Sequence, residues 1–464
     1  MTLSIADLHE IVGGQLRLGE MPPRDGEFTA IGRIVTDSRA ISVGNVFWGL
    51  PGTEHDGSHF AEEALARGAC GVVTSGRWVA PWAGRWSLEV ANSAAAIWRL
   101  AAWNCDRFSG RLVTIEGALG KSSAAAMTAA VLNARFMGET IGGHSGSRAA
   151  KETAVALAHL PVHHDYAIVE LHSGLASQGP DRLTKADVGV FVHSGSSNAV
   201  PALSTAVDTA VIERLRSAVR NGSRVIVNGD DAALRRVSQG AANVVFIGRG
   251  TGAHILADRI ESANGQLRFS VAGRRYCVAT WGRHQLTTAL AAIAVGRHCG
   301  LSDAEIAEGL SSFEPLNHCC QILHAGGVTI IDDTGRSGPA ATIAAMDLLS
   351  ESGAHGRRIM LYGDEPESDE DPELPRALGE HAVTRAAADL LIASGRSAGK
   401  IVEAANHGGL RRTSSIVCET PDEAEREVLS RLRPGDAVLV SGRPMAAVKQ
   451  KIQQHQIGTL RRAA

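Results

Sequence analysis

The chain has 464 residues, 44% hydrophobic, 20% charged and 4% aromatic, with 46 Lys and Arg against 49 Asp and Glu for a formal net charge of −3. That length suggests about three domains, each large enough to bury its own core, and it excludes collagen-like, disordered and single small-domain proteins. The near balance of charge leaves no global basic field to hold a nucleic-acid backbone or an anionic membrane surface, so neither is expected as a partner.

Seven cysteines (Cys70, Cys105, Cys277, Cys299, Cys319, Cys320 and Cys418) are scattered, and none forms a C-x-x-C pair, which points to reduced thiols. The N-terminal MTLSIADLHEIVGG lacks the basic flank and continuous apolar core of a signal peptide. No run of about 18 apolar residues is present to span a bilayer. A cytoplasmic protein is expected.

Taken in order, Ile34 to Ser75 reads as strand, polar turn, strand, a helix-like AEEALARGA and the apolar run CGVVTS, a small α/β unit. From Arg111 the pattern becomes strand (LVTI), glycine turn and a long Ala-rich helix, followed by the buried strands DYAIVEL, ADVGVFVHS, SRVIVNGDD and NVVFIG. Apolar runs of this length separated by helical periodicity predict a parallel sheet covered on both faces. After Phe313 and Pro315 the rhythm restarts with GGVTIIDD, a helix, RIMLYGDE, an acidic stretch, a helix, DLLIASG and DAVLVSG. The fold class is therefore α/β in three domains, with boundaries near 108 and 318. The acidic stretch 364–374 reads as a solvated loop, with a metal site as the alternative.

The sharpest chemical signal is Leu112-Val113-Thr114-Ile115-Glu116-Gly117-Ala118-Leu119-Gly120-Lys121-Ser122-Ser123, followed by an Ala-rich helix. Such a loop wraps backbone N–H groups around phosphate oxygens, aims a helix N-terminus at their charge, and adds a Lys⁺ and a hydroxyl able to ligate Mg²⁺. The spacing is G-x-x-G-K-S, shorter than the general phosphate-loop pattern, and a plain strand-to-helix turn is the competing reading. Glu116 stands just before the first glycine, where its carboxylate would repel a triphosphate unless strand alternation turns it away. Glu170 ends the DYAIVEL strand, where ligands gather in open parallel sheets, so it can share a Mg²⁺ with Ser122. A solvated strand-end carboxylate is the alternative. His172 and His193 end the same or a neighbouring strand, as ligands or as hydrogen-bonded structural residues.

These residues together resemble the Mur ligase family over nearly the whole chain, and within it the members that add D-Ala-D-Ala to UDP-MurNAc-tripeptide in peptidoglycan precursor synthesis. Thr36-Asp37-Ser38-Arg39, Gly44-Asn45-Val46-Phe47, Gly52, Asp56-Gly57-Ser58-His59-Phe60 and Gly68-Ala69 follow the family's N-terminal pattern. The resemblance implies that Ser38, Arg39, Asp56 and Gly57 help bind a UDP-linked muramoyl peptide. In the centre, Gly117, Gly120, Lys121, Ser122 and Ser123 match its shortened phosphate loop, Glu170 its Mg²⁺ carboxylate, and Val227-Asn228-Gly229-Asp230-Asp231 a strand end. Gly282-Arg283-His284 matches the helix start that closes its ATP site, and Phe313-Glu314-Pro315 the exit to the last domain. Ile331-Asp332-Asp333, Gly363-Asp364 with Glu367, and Gly435 to Val440 follow its amino-acid-binding domain.

The implied architecture is a UDP-precursor-binding domain at 1–108, a central ATPase-like domain at 109–318 and a Rossmann-like domain at 319–464. The implied cofactors are ATP and Mg²⁺, and the implied partners a UDP-linked muramoyl peptide and an amino acid or dipeptide, acting on a monomer. Lys121 and Glu170 carry the implied catalysis, Ser122 and Glu170 the metal, and His284 a nucleotide contact.

The chain also departs from the family. It has no lysine between Lys185 and Lys400, so the family's carbamoylated lysine is missing. The family's Asn-x-x-x-x-His appears as His193-Ser194-Gly195-Ser196-Ser197-Asn198, and an amide is a poorer Mg²⁺ ligand than a carboxylate. Asparagines expected after Gly-Arg-His are Gln285 and Thr288, and the arginine expected after Phe-Glu-Pro is replaced by His318-Cys319-Cys320. Ala118-Leu119 stands for Thr-Asn in the loop, and Arg336 lies where an Asn-containing loop is expected. Three readings follow: a working ligase with a rewired site, a catalytically silenced relative that binds a precursor or a protein partner, and a different phosphate-loop enzyme such as a kinase.

Overall fold

In the computed structural model the strands collect into three sheets of five, nine and six strands. The structure describes residues 3–21, 25–52, 55–142, 149–171, 183, 185–195, 209–263, 265–335, 339–352, 355–364 and 373–463, without the side chains of 339–340 and 455–463. His172, Asn198, Arg336, Glu367 and most of the acidic stretch lie outside the described residues.

The first sheet comprises β1 (Gln15–Leu18), β2 (Ile34–Val35), β3 (Val46–Trp48), β4 (Gly71–Ser75) and β5 (Trp86–Val90), ordered β1-β5-β4-β3-β2. β2 to β5 pair in parallel, and β1 runs antiparallel to β5. The helix read at AEEALARGA spans Ala61–Ala66, and Gly68 leaves it at a φ of 104°. A helix at Ile5–Val12 was not legible as one because the segment alternates polar with apolar residues. Its buried Ile5, Leu8 and Val12 nonetheless share a helical face, and Ser4 and Asp7 close a capping box at its start.

The second sheet comprises β6 (Arg111–Gly117), β7 (Gly138–Ile141), β8 (Tyr166–Glu170), β9 (Val188–His193), β10 (Arg224–Asn228), β11 (Val244–Gly248), β12 (Ile255–Ala263), β13 (Gln266–Val271) and β14 (Arg274–Val278). Its order is β14-β13-β12-β11-β10-β9-β6-β8-β7. The chain divides into two compact units, Met1–Thr114 with Phe136–Gly189 and Arg220–Arg224, and Ile115–Arg135 with Val190–Val219 and Val225–Ala464. The dividing line crosses β6, β9 and β10.

In the first unit the helix Ser93–Arg107 shares a core with the helix Ala149–His159. Asn104 Nδ2 fastens them by donating to the carbonyls of Leu157 and Leu160 at 2.9 and 2.8 Å. In the second unit β10, β11 and the start of β12 are parallel, as the apolar runs predict. β12, β13 and β14 then continue antiparallel, which the apolar-run criterion does not detect. These strands alternate buried with exposed residues, the mark of a sheet with one wet face. Val271 pairs with Arg274 across a two-residue turn in which Ala272 and Gly273 take φ of 50° and 81°, as a twisted hairpin requires.

The third sheet comprises β15 (Gln321–Ala325), β16 (Val328–Asp333), β17 (Arg358–Gly363), β18 (Leu390–Ser394), β19 (Ser415–Cys418) and β20 (Ala437–Ser441), ordered β15-β16-β20-β17-β18-β19. All pairs but β15–β16 are parallel. Both faces are covered, one around Ile331, Met360, Leu391 and Leu439 and the other around Ile330, Leu361, Ile392 and Val438, which is why these strands read as continuous apolar runs. All seven cysteines are free thiols.

β4 passes beneath the ring of Trp86 with no room for a side chain at Gly71, where an added Cβ would lie 2.0 Å from Trp86 Cε2. Gly71→Ala is expected to cost about 1–3 kcal/mol by overpacking. Gly399→Ala, where an added Cβ meets nothing within 4 Å, serves as the control. Denaturant unfolding checks both, and equal midpoints would contradict the packing described.

Candidate functional site

β6 is buried from Leu112 onward and ends at Gly117, whose φ is 147°. A Cβ there would lie 2.8 Å from His193 N and 3.0 Å from His193 O, so only glycine lets β6 pass the end of β9. Ala118 N donates to the His193 carbonyl at 3.0 Å and fixes the turn. Gly120, at a φ of 83°, is the left-handed N-cap of the helix Lys121–Leu132. It brings no side chain, so the positive end of the helix dipole faces the loop without a capping carboxylate. Lys121 Nζ folds back to donate to the Gly117 carbonyl at 2.5 Å, placing the ammonium over the loop. Ser122 is half-buried, and Ser123 is buried.

The Glu116 carboxylate is buried, and its partner is Arg214 of the helix Thr209–Arg220, itself largely buried. The repulsion that Glu116 threatens is thus cancelled by an ion pair from 98 residues away. Nothing in the local sequence signals Arg214.

His193 accepts a hydrogen bond at Nδ1 from Gly195 N at 2.9 Å. Burial holds its imidazole below the usual value, against an opposing pull from Asp231, so the ring is neutral near pH 7 with its proton on Nε2. Asp231, read as part of a strand-end motif, clamps backbone: it accepts from Ser194 N and Oγ at 2.8 and 3.0 Å and caps the helix Ala232–Ser238 through Ala233 N and Leu234 N. Asn228 Nδ2 donates to the Val192 carbonyl at 3.0 Å.

Gln285 and Thr288, at the positions of the expected asparagines, are both buried and bond to each other. Thr288 Oγ1 donates to the Gln285 carbonyl at 2.6 Å and lies 3.1 Å from Gln285 Oε1. The Thr288 methyl packs beneath the loop, 3.2 Å from where a Cβ on Gly120 would stand. His284 lies in the short turn Arg283–Gln285, its ring folded against Gly282, where a Cβ would come within 2.6 Å of it. The second unit therefore brings Gly117, Gly120, Lys121, Ser122 and Ser123 together as one loop.

Glu170 and the candidate precursor-binding residues lie in the first unit. Glu170 is the buried last residue of β8, and Gly142 makes room for it, since a Cβ on Gly142 would lie 2.5–2.8 Å from its side chain. Ser38 is buried, with Oγ 3.3 Å from Glu63 Oε2, and Arg39 is exposed and paired with Asp37. Asp56 caps the turn Gly57–Phe60 through Ser58 N at 2.9 Å. Gly57 allows a close pass, since a Cβ would lie 2.6 Å from the Leu50 carbonyl.

A cluster that the sequence did not reveal stands at the end of β16. Asp332 is fully buried and accepts from Thr334 N and Oγ1 at 3.1 and 2.7 Å, from His318 Nδ1 at 2.7 Å and from Lys449 Nζ at 3.0 Å. Burial pushes its carboxyl up, but the bonds from Thr334, His318 and Lys449 together hold it below the usual carboxylate value. His318 and Cys320 both take positive φ, 61° and 53°.

Comparison with known proteins agrees with this geometry. The Mur ligase family, catalytic domain, matches residues 30–94, and the Mur ligase glutamate ligase domain matches residues 320–443. The UDP-N-acetylmuramoyl-tripeptide–D-alanyl-D-alanine ligase of Mycobacterium bovis is 28% identical over 94% of both chains, and that of Escherichia coli 24% identical over 98% of this chain and 99% of its own. Among solved structures, MurF from Acinetobacter baumannii superposes with a TM-score of 0.80 at 20% identity, covering 98% of this chain and 99% of its own. MurF ligase from Thermotoga maritima in complex with ADP gives 0.75 at 20% identity, covering 94% and 99%. At 20% identity these structural likenesses show a shared fold. The chain thus carries matches to two Mur ligase domains and is similar along nearly its whole length to ligases of that family.

Arg214→Met leaves the buried Glu116 carboxylate without its guanidinium and is expected to destabilise the protein by about 3–5 kcal/mol. Adding Glu116→Gln should recover most of that loss. A double variant no more stable than Arg214→Met, measured by denaturant unfolding, would show that the pair does not act as a unit.

Proposed function

We propose that the chain is an ATP-dependent ligase that joins D-Ala-D-Ala to the free carboxylate of UDP-MurNAc-tripeptide, the substrates named for its relatives. The observation that carries this reading is the loop 117–123: two glycines at positive φ, a helix start without a capping side chain, and Lys121 over the turn. ATP as substrate supplies the phosphoryl group that activates the carboxylate. The dipeptide amine then attacks the acyl phosphate, and phosphate leaves. Chemistry of this kind depends mainly on positioning and charge neutralisation.

In this reading Gly117 and Gly120 admit the phosphates, Lys121 balances their charge, and Ser122 and Ser123 supply hydroxyls at the helix start. Ser122 and Glu170 are the residues that would hold Mg²⁺, a hydroxyl and a buried carboxylate being the hard oxygen donors that the ion prefers. When bound, Mg²⁺ supplies positive charge to the transferring phosphoryl group. The ion pair with Arg214 supports anion binding, because it removes the unbalanced negative charge beside the loop. His284 is proposed at the nucleotide, and Ser38, Arg39, Asp56 and Gly57 at the UDP-linked precursor. The division of labour is proposed as precursor binding at 1–108, ATP at 109–318 and dipeptide at 319–464, in a monomer. No helix among the described residues is long and apolar enough to cross a membrane. The silenced reading rests on the residue losses alone.

The test is phosphate release with both substrates present. It should require tripeptide precursor and dipeptide together. Lys121→Ala should weaken nucleotide binding by about 1–3 kcal/mol, the range for removing a charged hydrogen-bond partner. Glu170→Gln should lower turnover and raise the Mg²⁺ concentration required. Nucleotide binding by titration with no dipeptide-dependent phosphate release would replace this reading with the silenced one.

A further inference from the structure

We propose that His318 is the proton acceptor for the attacking amine, a role that rests on the ligase reading above. His318 stands at the carboxyl end of β16, where open parallel sheets gather their ligands. Its backbone is left-handed, a strained state for a residue with a side chain that persists only where the surroundings impose it. Here they do so twice: Gly335 N donates to the His318 carbonyl at 2.8 Å, and Gly335 has no Cβ because one would lie 2.7 Å from His318 Cβ. His318 N donates in turn to Gln321 Oε1 at 3.4 Å.

The side chain is held as firmly. His318 Nδ1 meets Asp332 Oδ2 at 2.7 Å, while Thr334 occupies Oδ1, so the carboxylate cannot turn away. Lys449 Nζ lies 3.0 Å from the same Oδ2 and 3.4 Å from Nδ1. Asp332 and Lys449 are the charged groups that meet His318 among the described residues. The Lys449 ammonium balances the Asp332 carboxylate, and the carboxylate orients the imidazole by accepting from Nδ1. Nδ1 is then the protonated nitrogen, and Nε2 keeps its lone pair. The side chain is 49% exposed, so that lone pair is reachable from solvent.

Amide formation needs such a group. A dipeptide arrives as an ammonium ion, its ordinary pKa about 8, and cannot attack until it loses a proton. In the proposed step the amine nitrogen forms a C–N bond to the acyl carbon, and the C–O bond to phosphate breaks with its electron pair on the departing phosphate. Of the two protons the ammonium must lose to become an amide N–H, one passes to His318 Nε2 and from there to solvent, and the other leaves with the departing phosphate as the adduct collapses. Asp332 and Lys449 are positioning residues, since they act through His318.

The test separates activation from attack, using the full chain with ATP, Mg²⁺ and UDP-MurNAc-tripeptide. Hydroxylamine traps the activated carboxylate as a hydroxamate in the absence of dipeptide, and amide formation is followed with D-Ala-D-Ala from about pH 6 to 9. His318→Asn keeps a residue that tolerates the left-handed backbone, and His318→Gly leaves space for added imidazole. His318→Asn should leave hydroxamate formation within about twofold and slow amide formation near pH 7 about a hundredfold, the lower end for losing a general base. The residual rate should rise only through the ionisation of the amine itself, near pH 8. Imidazole should recover at least about tenfold in His318→Gly. Unchanged amide formation and pH dependence in the variants overturn the proposal, as does parallel loss of both steps without imidazole rescue. A native chain that forms neither hydroxamate nor amide overturns the ligase reading itself.

Discussion

A carboxylate buried one residue before a loop proposed to bind phosphate is incompatible with that role unless something neutralises it, and the centre of this protein is arranged around that requirement. Glu116 lies inside the sheet, and Arg214 reaches it from a helix that starts 92 residues after Gly117. With the pair closed, the loop presents glycine backbone, a helix start and one ammonium. With it open, a buried charge would both repel phosphate and strain the fold, because an unpaired ion in a low-dielectric interior costs several kcal/mol. Loop chemistry and fold stability are thus tied to one contact.

The same economy recurs at three acidic residues beside strand ends. Asp231 clamps Ser194 and caps a helix, Asp332 gathers Thr334, His318 and Lys449, and Asp436 accepts from the backbone of Arg357 and Arg433 and from the Arg357 guanidinium. Each sits at or just beyond a strand end, where one carboxylate gathers several backbone and side-chain donors. For Asp332 and Asp436 burial raises the carboxyl, but their hydrogen bonds outweigh it and leave the folded value below the usual one. Their contribution to stability is therefore full above the unfolded carboxylate value, about 3.9, and fades as pH falls below it.

The departures from the family acquire physical content in this frame. Gln285 and Thr288 satisfy each other and pack under the loop, so the change from asparagine is absorbed as packing. Where an arginine was expected, His318 enters a left-handed turn and couples to Asp332 and Lys449. An oriented imidazole therefore stands at the end of β16 where a guanidinium was expected.

Much was legible in the residues alone. Continuous apolar runs marked the parallel strands because both faces of such strands are buried, and the glycines around Lys121 marked the loop because positive φ and close backbone passage leave few alternatives. The short helix at Ile5–Val12 and the antiparallel extension β12–β14 escaped, since half-exposed elements alternate polar with apolar residues and resemble loops. Which charges meet was beyond the sequence altogether. Arg214 finds Glu116, and Lys449 finds Asp332 and His318, across about a hundred residues or more. Local sequence sets backbone geometry through short-range sterics and periodic burial, whereas the pairing of buried charges depends on distances that exist only once the sheets have been assembled.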